Sequence, residues 1–160
     1  MNIYLKLIGI KAQKAFSKKI ETKLKNKVLY KFASLIKKNK FKILAQNKKD
    51  INFSKKKNLR ENLISRLQLN NYKIDQIIKS INIIAKLKDP VDVTLDKWKR
   101  PNGLVIKKTT TPLGVIGVIY ESRPNVTSDV SSLCFKSGNC VILRGGSEAY
   151  FTNKTLANLF

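Results

Sequence analysis

The first ninety residues repeat apolar side chains at three- and four-residue spacing, the period of helices with one buried face. Leu7, Ile8, Ala12, Ala15 and Phe16 form one stripe, and Val28, Leu29, Phe32, Ala33, Leu35 and Ile36 form another. A short helix is predicted over residues 60–69. Asn70 or Asn71 caps the helix after it, where Ile74, Ile77, Ile78, Ile81, Ile84 and Ala85 share a face. Asp89-Pro90 ends that helix, because proline pushes the residue before it out of the helical region. Lysines mostly occupy the opposite, solvated faces.

After Pro90 the pattern changes. Residues 91–99 and 104–111 alternate apolar and polar positions around a turn at Pro101, Asn102 and Gly103, the pattern of two antiparallel strands. Residues 113–120 are nearly all apolar, as in a buried parallel strand. Thr127 or Ser128 then caps a helix carrying Val130, Leu133, Cys134 and Phe135, and Gly138 stands where a helix C-terminal glycine belongs. Residues 140–143 form a second buried strand, Arg144-Gly145-Gly146 turns the chain, and Ser147 caps a helix running into Phe160. The fold class is α/β: a helical part at 1–90, a β-ribbon at 91–111, and the opening βαβα of a Rossmann-like parallel sheet at 112–160. Two parallel strands leave faces and edges open. The sheet therefore reads as incomplete, and the chain as one inclined to associate.

The chain has 160 residues, within the range of one domain. Its 33 basic and 10 acidic residues give a net charge of +23, concentrated in the first hundred positions. Such a field can hold nucleic acid by counterion release. However, the basic residues are nearly all lysine; the arginines, whose forks read bases and phosphates, are Arg60, Arg66, Arg100, Arg123 and Arg144. Lysine, asparagine and isoleucine all have A/T-rich codons, so codon bias yields this composition without a polyanionic partner. Nucleic-acid binding is the weaker reading. The sequence has no histidine, and its cysteines, Cys134 and Cys140, lack CxxC spacing. That removes His-based zinc sites and Ser-His or Cys-His dyads, and no metal site is predicted. Lys6 interrupts the apolar N-terminal residues and Lys11 and Lys14 follow them, unlike a secretory signal. No stretch reaches the ~18 uncharged apolar residues of a membrane helix. A soluble, cytoplasmic protein is expected.

Two loops carry candidate chemistry. The turn Arg144, Gly145, Gly146, Ser147, Glu148 follows a strand and opens a helix, where free N–H groups and the helix dipole attract phosphate. Arg144 suits a phosphate, Ser147 offers a hydroxyl, and Glu148 can accept from a ribose hydroxyl. The GxGxxG fingerprint is absent, and a tight turn with a capped helix accounts for the same residues. The loop from Tyr120 to Thr127 leaves the carboxyl end of the first parallel strand, where open α/β sheets bind ligands. It contains Glu121, and Asn125 brings either an oxyanion donor or a helix cap.

Pro112-Leu-Gly-Val-Ile-Gly-Val-Ile-Tyr-Glu-Ser-Arg-Pro-Asn-Val-Thr127 followed by Leu133-Cys-Phe-Lys-Ser-Gly-Asn-Cys-Val-Ile-Leu-Arg-Gly-Gly-Ser-Glu148 resembles the gamma-glutamyl phosphate reductases, a branch of the aldehyde dehydrogenase superfamily. Residues 1–111 fit more loosely, through Asn47, Asp50, Arg66-Leu67 and Asp89-Pro90-Val91. The resemblance covers only the N-terminal portion of a family member. It implies NADPH-dependent reduction of gamma-glutamyl phosphate to glutamate 5-semialdehyde in proline biosynthesis, through a thioester on a cysteine of a catalytic domain absent from this sequence. It also implies that Asn125 is the oxyanion asparagine, that Arg144 stands where a lysine reaches the adenosine ribose and its 2′-phosphate, and that Ser147 and Glu148 follow it as Ser-Glu. Glu121 and Gly145 belong to the same cofactor-facing loops. Residues 91–111 are similar to the superfamily's oligomerisation ribbon, which implies a homo-oligomer for an intact enzyme only; the absent catalytic domain implies a complementing catalytic chain for this one. Cys134 and Cys140 read as small hydrophobes rather than substitute nucleophiles. The chain is therefore expected to be inactive alone, as part of a split enzyme or as a non-catalytic remnant.

Overall fold

The computed structural model describes residues 3–160. Five helices come first: α1 (Ile3–Phe16), α2 (Thr22–Lys38), α3 (Lys40–Lys56), α4 (Glu61–Leu67) and α5 (Asn71–Lys86). Of the predicted stripes, those of α2 and α5 carry the core. Leu29, Phe32, Ala33 and Ile36 of α2 pack with Ile74, Ile77, Ile81, Ile84 and Ala85 of α5, all buried. Asn70 supplies the cap of α5, its side chain accepting from the Lys73 N–H at 2.8 Å. That helix stops at Lys86, ahead of Asp89. The α1 stripe behaves differently: Ala12 is buried, but Leu7 and Phe16 are exposed.

No stripe predicted α3. Its buried side chains are Ile43, Asn47, Asp50 and Ser54, at helical spacing but mostly polar. Asn47 explains why such a face can be buried. Its amide donates to the Leu67 carbonyl at 2.9 Å and to Thr152 Oγ1 at 3.2 Å, and its oxygen accepts from the Leu69 N–H at 2.8 Å. A buried amide satisfied in this way ties α3 to the end of α4 and to the C-terminal helix.

The strands β1 (Thr94–Lys99) and β2 (Val105–Thr109) pair antiparallel, with a register shift between Thr94 and Asp96. Apart from Ile106, their residues are exposed. The parallel pair is β3 (Val115–Tyr120) and β4 (Cys140–Gly145), joined by α6 (Asn125–Lys136). A 3-10 turn (Ser147–Ala149) leads into α7 (Tyr150–Ala157). The architecture is α/β, as the pattern predicts, with two two-stranded sheets among the described residues.

Three details differ from the sequence reading. The β3 strand is not buried on both sides: Val115 and Ile119 are exposed, whereas Ile116, Val118 and Tyr120 are half-buried. Neither Thr127 nor Ser128 caps α6. Pro124 holds the N-cap position, and both residues lie buried within the helix. Ser147 does not cap the last helix either, since Gly146 precedes the 3-10 turn and α7 begins at Tyr150 and ends at Ala157. Gly138 does take the predicted role. With φ of 72° it closes a Schellman motif in which the Asn139 N–H reaches the Cys134 carbonyl at 2.8 Å and the Gly138 N–H reaches that of Phe135 at 3.2 Å.

Candidate functional site: two loops at the carboxyl end of the parallel pair

Parallel pairing in register sets Tyr120 beside Gly145, so the loops after β3 and β4 leave the sheet together. A polar chain runs across them. The Tyr120 hydroxyl lies 2.6 Å from Thr127 Oγ1, which lies 3.1 Å from Asn153 Oδ1. Burial pushes the Tyr120 phenol up, against the opposing effect of the Thr127 hydrogen bond. Thr127 gives its single proton to the Asn153 amide oxygen, which leaves the Tyr120 phenol as the donor to Thr127. Gly145 sits under this chain, where a Cβ would overlap the Asn153 amide and press on Tyr120. Its lack of a side chain is a matter of space.

Glu148 makes a second link. Its Oε1 accepts from the Ser122 N–H at 2.6 Å and from Ser122 Oγ at 3.1 Å. Ser122 is buried and has φ of 42°, a left-handed conformation that costs a non-glycine residue on the order of 1 kcal/mol. The carboxylate folds back over Gly146, where any Cβ would take its place.

The start of α7 is also committed. Asp50 of α3, itself buried, accepts from the Phe151 N–H at 3.0 Å, the Thr152 N–H at 2.8 Å and Thr152 Oγ1 at 2.5 Å. A carboxylate from another helix thus caps α7 and meets its dipole. Asp50 thus occupies the amides of Phe151 and Thr152, whereas the turn from Arg144 to Glu148 offers it none.

The predicted residues fall into two groups. Arg144, Ser147 and Glu121 are exposed around the two loops. Gly145 and Glu148 are part of the internal framework, and Glu148 faces Ser122 rather than an open ribose position. Asn125 is the first residue of α6, its amide donating to Asp129 Oδ2 at 3.1 Å and its carbonyl accepting from Ser128 Oγ. Tyr120, Ser122, Thr127, Asn153 and Asp50 were not predicted as framework residues. Only the adjacent glycines Gly145 and Gly146 signalled a close approach, without saying by what. Cys134 is buried, and burial, with Cys140 nearby, pushes its thiol up; Cys140 opens β4, at the opposite end from the loops. A cleft of about 1040 Å³ also lies at that other end, lined by Thr22, Lys25, Asp89, Pro112, Phe135 and Cys140, apart from the candidate residues.

No family model matches the chain. A gamma-glutamyl phosphate reductase of Clostridium tetani is 45% identical over 161 residues, covering 99% of this chain and 38% of the relative. That of a Hydrogenobaculum species is 46% identical over 162 residues, covering 100% of this chain and 37% of the relative. The crystal structure of the Thermotoga maritima gamma-glutamyl phosphate reductase superposes with a TM-score of 0.88 at 39% identity, over 93% of this chain and 36% of that one. The chain matches the N-terminal portion of gamma-glutamyl phosphate reductase. It spans less than two-fifths of the length of these relatives. The Saccharomyces cerevisiae gamma-glutamyl phosphate reductase superposes equally well, with a TM-score of 0.88 at 34% identity. The loops that carry Asn125 and Arg144 lie within the matched portion, because the C. tetani alignment takes in nearly the whole chain. No helix among the described residues is long and apolar enough to cross a membrane.

Proposed function

We propose that this chain carries the nucleotide-facing loops of a cytoplasmic reductase that converts L-gamma-glutamyl 5-phosphate to L-glutamate 5-semialdehyde in proline biosynthesis. The observation that carries the reading is the 45% identity, over nearly the whole chain, to a relative named for that reduction. NADPH, when bound, supplies the hydride. The donor set suits a 2′-phosphate: the Arg144 guanidinium and the Ser147 hydroxyl are both exposed on the turn after β4. Glu121 is exposed on the loop after β3. Asn125 serves a developing oxyanion by turning its amide away from Asp129. The start of α7 takes no phosphate in this reading, since Asp50 fills it.

Acyl transfer to a cysteine uses its thiolate, and the buried Cys134, its thiol pushed up by burial, does not supply one at neutral pH. Neither Cys134 nor Cys140 is placed for the task, so the nucleophile comes from sequence beyond residues 1–160, in the same or a complementing polypeptide. Residues 1–90 and 112–160 form the cofactor-binding part, and the ribbon at 91–111 serves oligomerisation. The test is NADPH oxidation by the purified chain with gamma-glutamyl phosphate. No turnover is expected without a polypeptide that bears the nucleophile; turnover by the chain alone, abolished by Cys134→Ser or Cys140→Ser, contradicts the assignment. Fluorescence titration supplies a second check. Arg144→Ala should weaken NADPH about tenfold or more while changing NADH much less, as loss of a charge-assisted hydrogen bond requires. Equal losses for the two cofactors remove the 2′-phosphate role.

A further inference from the structure

Glu148 has two possible employments, a ligand hydroxyl or the protein itself, and its geometry favours the second. We propose that Glu148 is a positioning residue, a clasp that locks the loop after β3 to the turn after β4 so that both present one rigid rim to the nucleotide. The proposal rests on the nucleotide-facing reading only for what the rim holds; the clasp itself is a property of the unliganded chain.

Three features converge on it. First, one carboxylate oxygen gathers both the N–H and the hydroxyl of Ser122, at 2.6 and 3.1 Å. Charge-assisted bonds of this kind are about twice as strong as neutral ones. Second, Ser122 is buried in a left-handed conformation, which persists only when its surroundings hold it. Ser122 lies between Glu121 and Asn125, so the conformation imposed there sets the path of the loop from the end of β3 to the start of α6. Third, Gly146 has ordinary extended dihedrals, φ −66° and ψ 154°, which demand no glycine. What a side chain there would meet is the Glu148 carboxylate, which would have to leave its place over Gly146. Gly146 is thus tied to a side chain of the protein.

The clasp works alongside the chain Tyr120, Thr127 and Asn153, which joins β3, α6 and α7 over Gly145. The two links use different residues, so one can be cut while the other stays. Arg144 lies between them in sequence, with its side chain left exposed.

Backbone amide exchange followed by NMR on the nucleotide-free chain tests the clasp directly. The Ser122 amide should be protected in the wild type, and Glu148→Ala should lower that protection about tenfold or more, as loss of an ionic acceptor requires. Protection of the β3 and β4 amides should stay unchanged. Glu148→Gln, which keeps an oxygen acceptor, should lose less and guards against a simple failure to fold. Ser122→Ala, which keeps the amide, should retain protection. Gly146→Ala, whose methyl needs the carboxylate's place, should reproduce the loss. An unchanged Ser122 amide in Glu148→Ala overturns the proposal.

Dinucleotide titration of the same variants separates the clasp from a ligand contact. Glu148→Ala should weaken NADPH and NADH by the same factor, because the whole rim loosens. If it weakens NADPH while Ser122 stays protected, the carboxylate belongs to the ligand and the clasp is wrong. If the wild type binds neither dinucleotide, the nucleotide reading fails and the exchange measurement alone decides the clasp.

Discussion

At the scale of single residues, carboxylates do the structural work that the sequence offered to ligands. Asp50 has three donors to satisfy and no water to share them with, because it is 1% exposed. Asp50→Ala leaves those donors unpaired in the interior and should cost about 3 kcal/mol in urea titration. Asp50→Asn keeps one acceptor, and its loss should be about half as large. A neutral outcome for the alanine variant would mean that α7 finds another cap. Sulfur chemistry separates the two cysteines in the same way. Cys134 is 7% exposed with a thiol pushed up by burial, whereas Cys140 is half-buried. A thiol reagent at neutral pH should therefore label Cys140 before Cys134, and equal rates would contradict the packing of α6.

At the scale of elements, Gly138 shows how one residue ends a helix and starts a strand. Its φ of 72° strains any other residue, and a Cβ would stand 3.0 Å from Pro112 Cγ and 3.1 Å from Val91 Cγ2. Gly138→Ala should cost about 2 kcal/mol, the left-handed penalty plus some crowding, and lower Tm by about 5 °C. This glycine was legible in the sequence, as were α2 and α5, because their buried faces are written in Leu, Ile and Phe. The α3 helix escaped notice although its buried positions keep helical spacing. Asn47, Asp50 and Ser54 occupy that face, and a search for apolar recurrence passes over them. The α6 helix illustrates the same limit, since it buries Thr127, Ser128, Ser132 and Lys136 while Leu133 is exposed. Lys136 survives there by donating to the Ala85 carbonyl at 2.9 Å and to Asn26 Oδ1, even though burial lowers its pKa. The loops of the candidate site were legible as to place, from the strand–turn–helix order. The partner of each side chain was not, because Glu148 and Ser122 meet only after β3 and β4 pair.

At the scale of the whole molecule, charge acts both inside and outside. Asp89 joins the start of α2 to the chain after α5, accepting from Thr22 Oγ1 at 2.7 Å, Lys25 Nζ at 2.9 Å and the Val91 N–H at 3.0 Å. Burial alone would raise its pKa, but these bonds together hold the carboxyl below its ordinary 3.8. A depressed carboxyl contributes stability that is complete above the unfolded value and lost as pH falls through the folded one. The urea midpoint should therefore drop below pH ~4, and Asp89→Asn should flatten that drop while costing about 3 kcal/mol at neutral pH, since Lys25 is left buried without its anion.

Outside, two tendencies oppose each other. Leu113 and Ile119 are 88% and 82% exposed, beside a parallel pair whose outer edges are unpaired among the described residues, and α1 exposes Ile3, Leu5 and Ile10. Such surfaces favour association. A net charge of +23 drives copies apart, but only over a Debye length that shrinks from about 30 Å at 0.01 M salt to about 10 Å at 0.1 M. Repulsion should win at low salt and apolar contact at high salt. Sedimentation velocity should accordingly find a monomer at about 0.01 M salt and growing mass at about 0.5 M. Ile119→Lys, which puts a charge on the open face of β3, should suppress that growth. If the mass stays constant across the salt series, or if Ile119→Lys associates as the wild type does, the exposed sheet is not the sticky surface and α1 becomes the face to mutate.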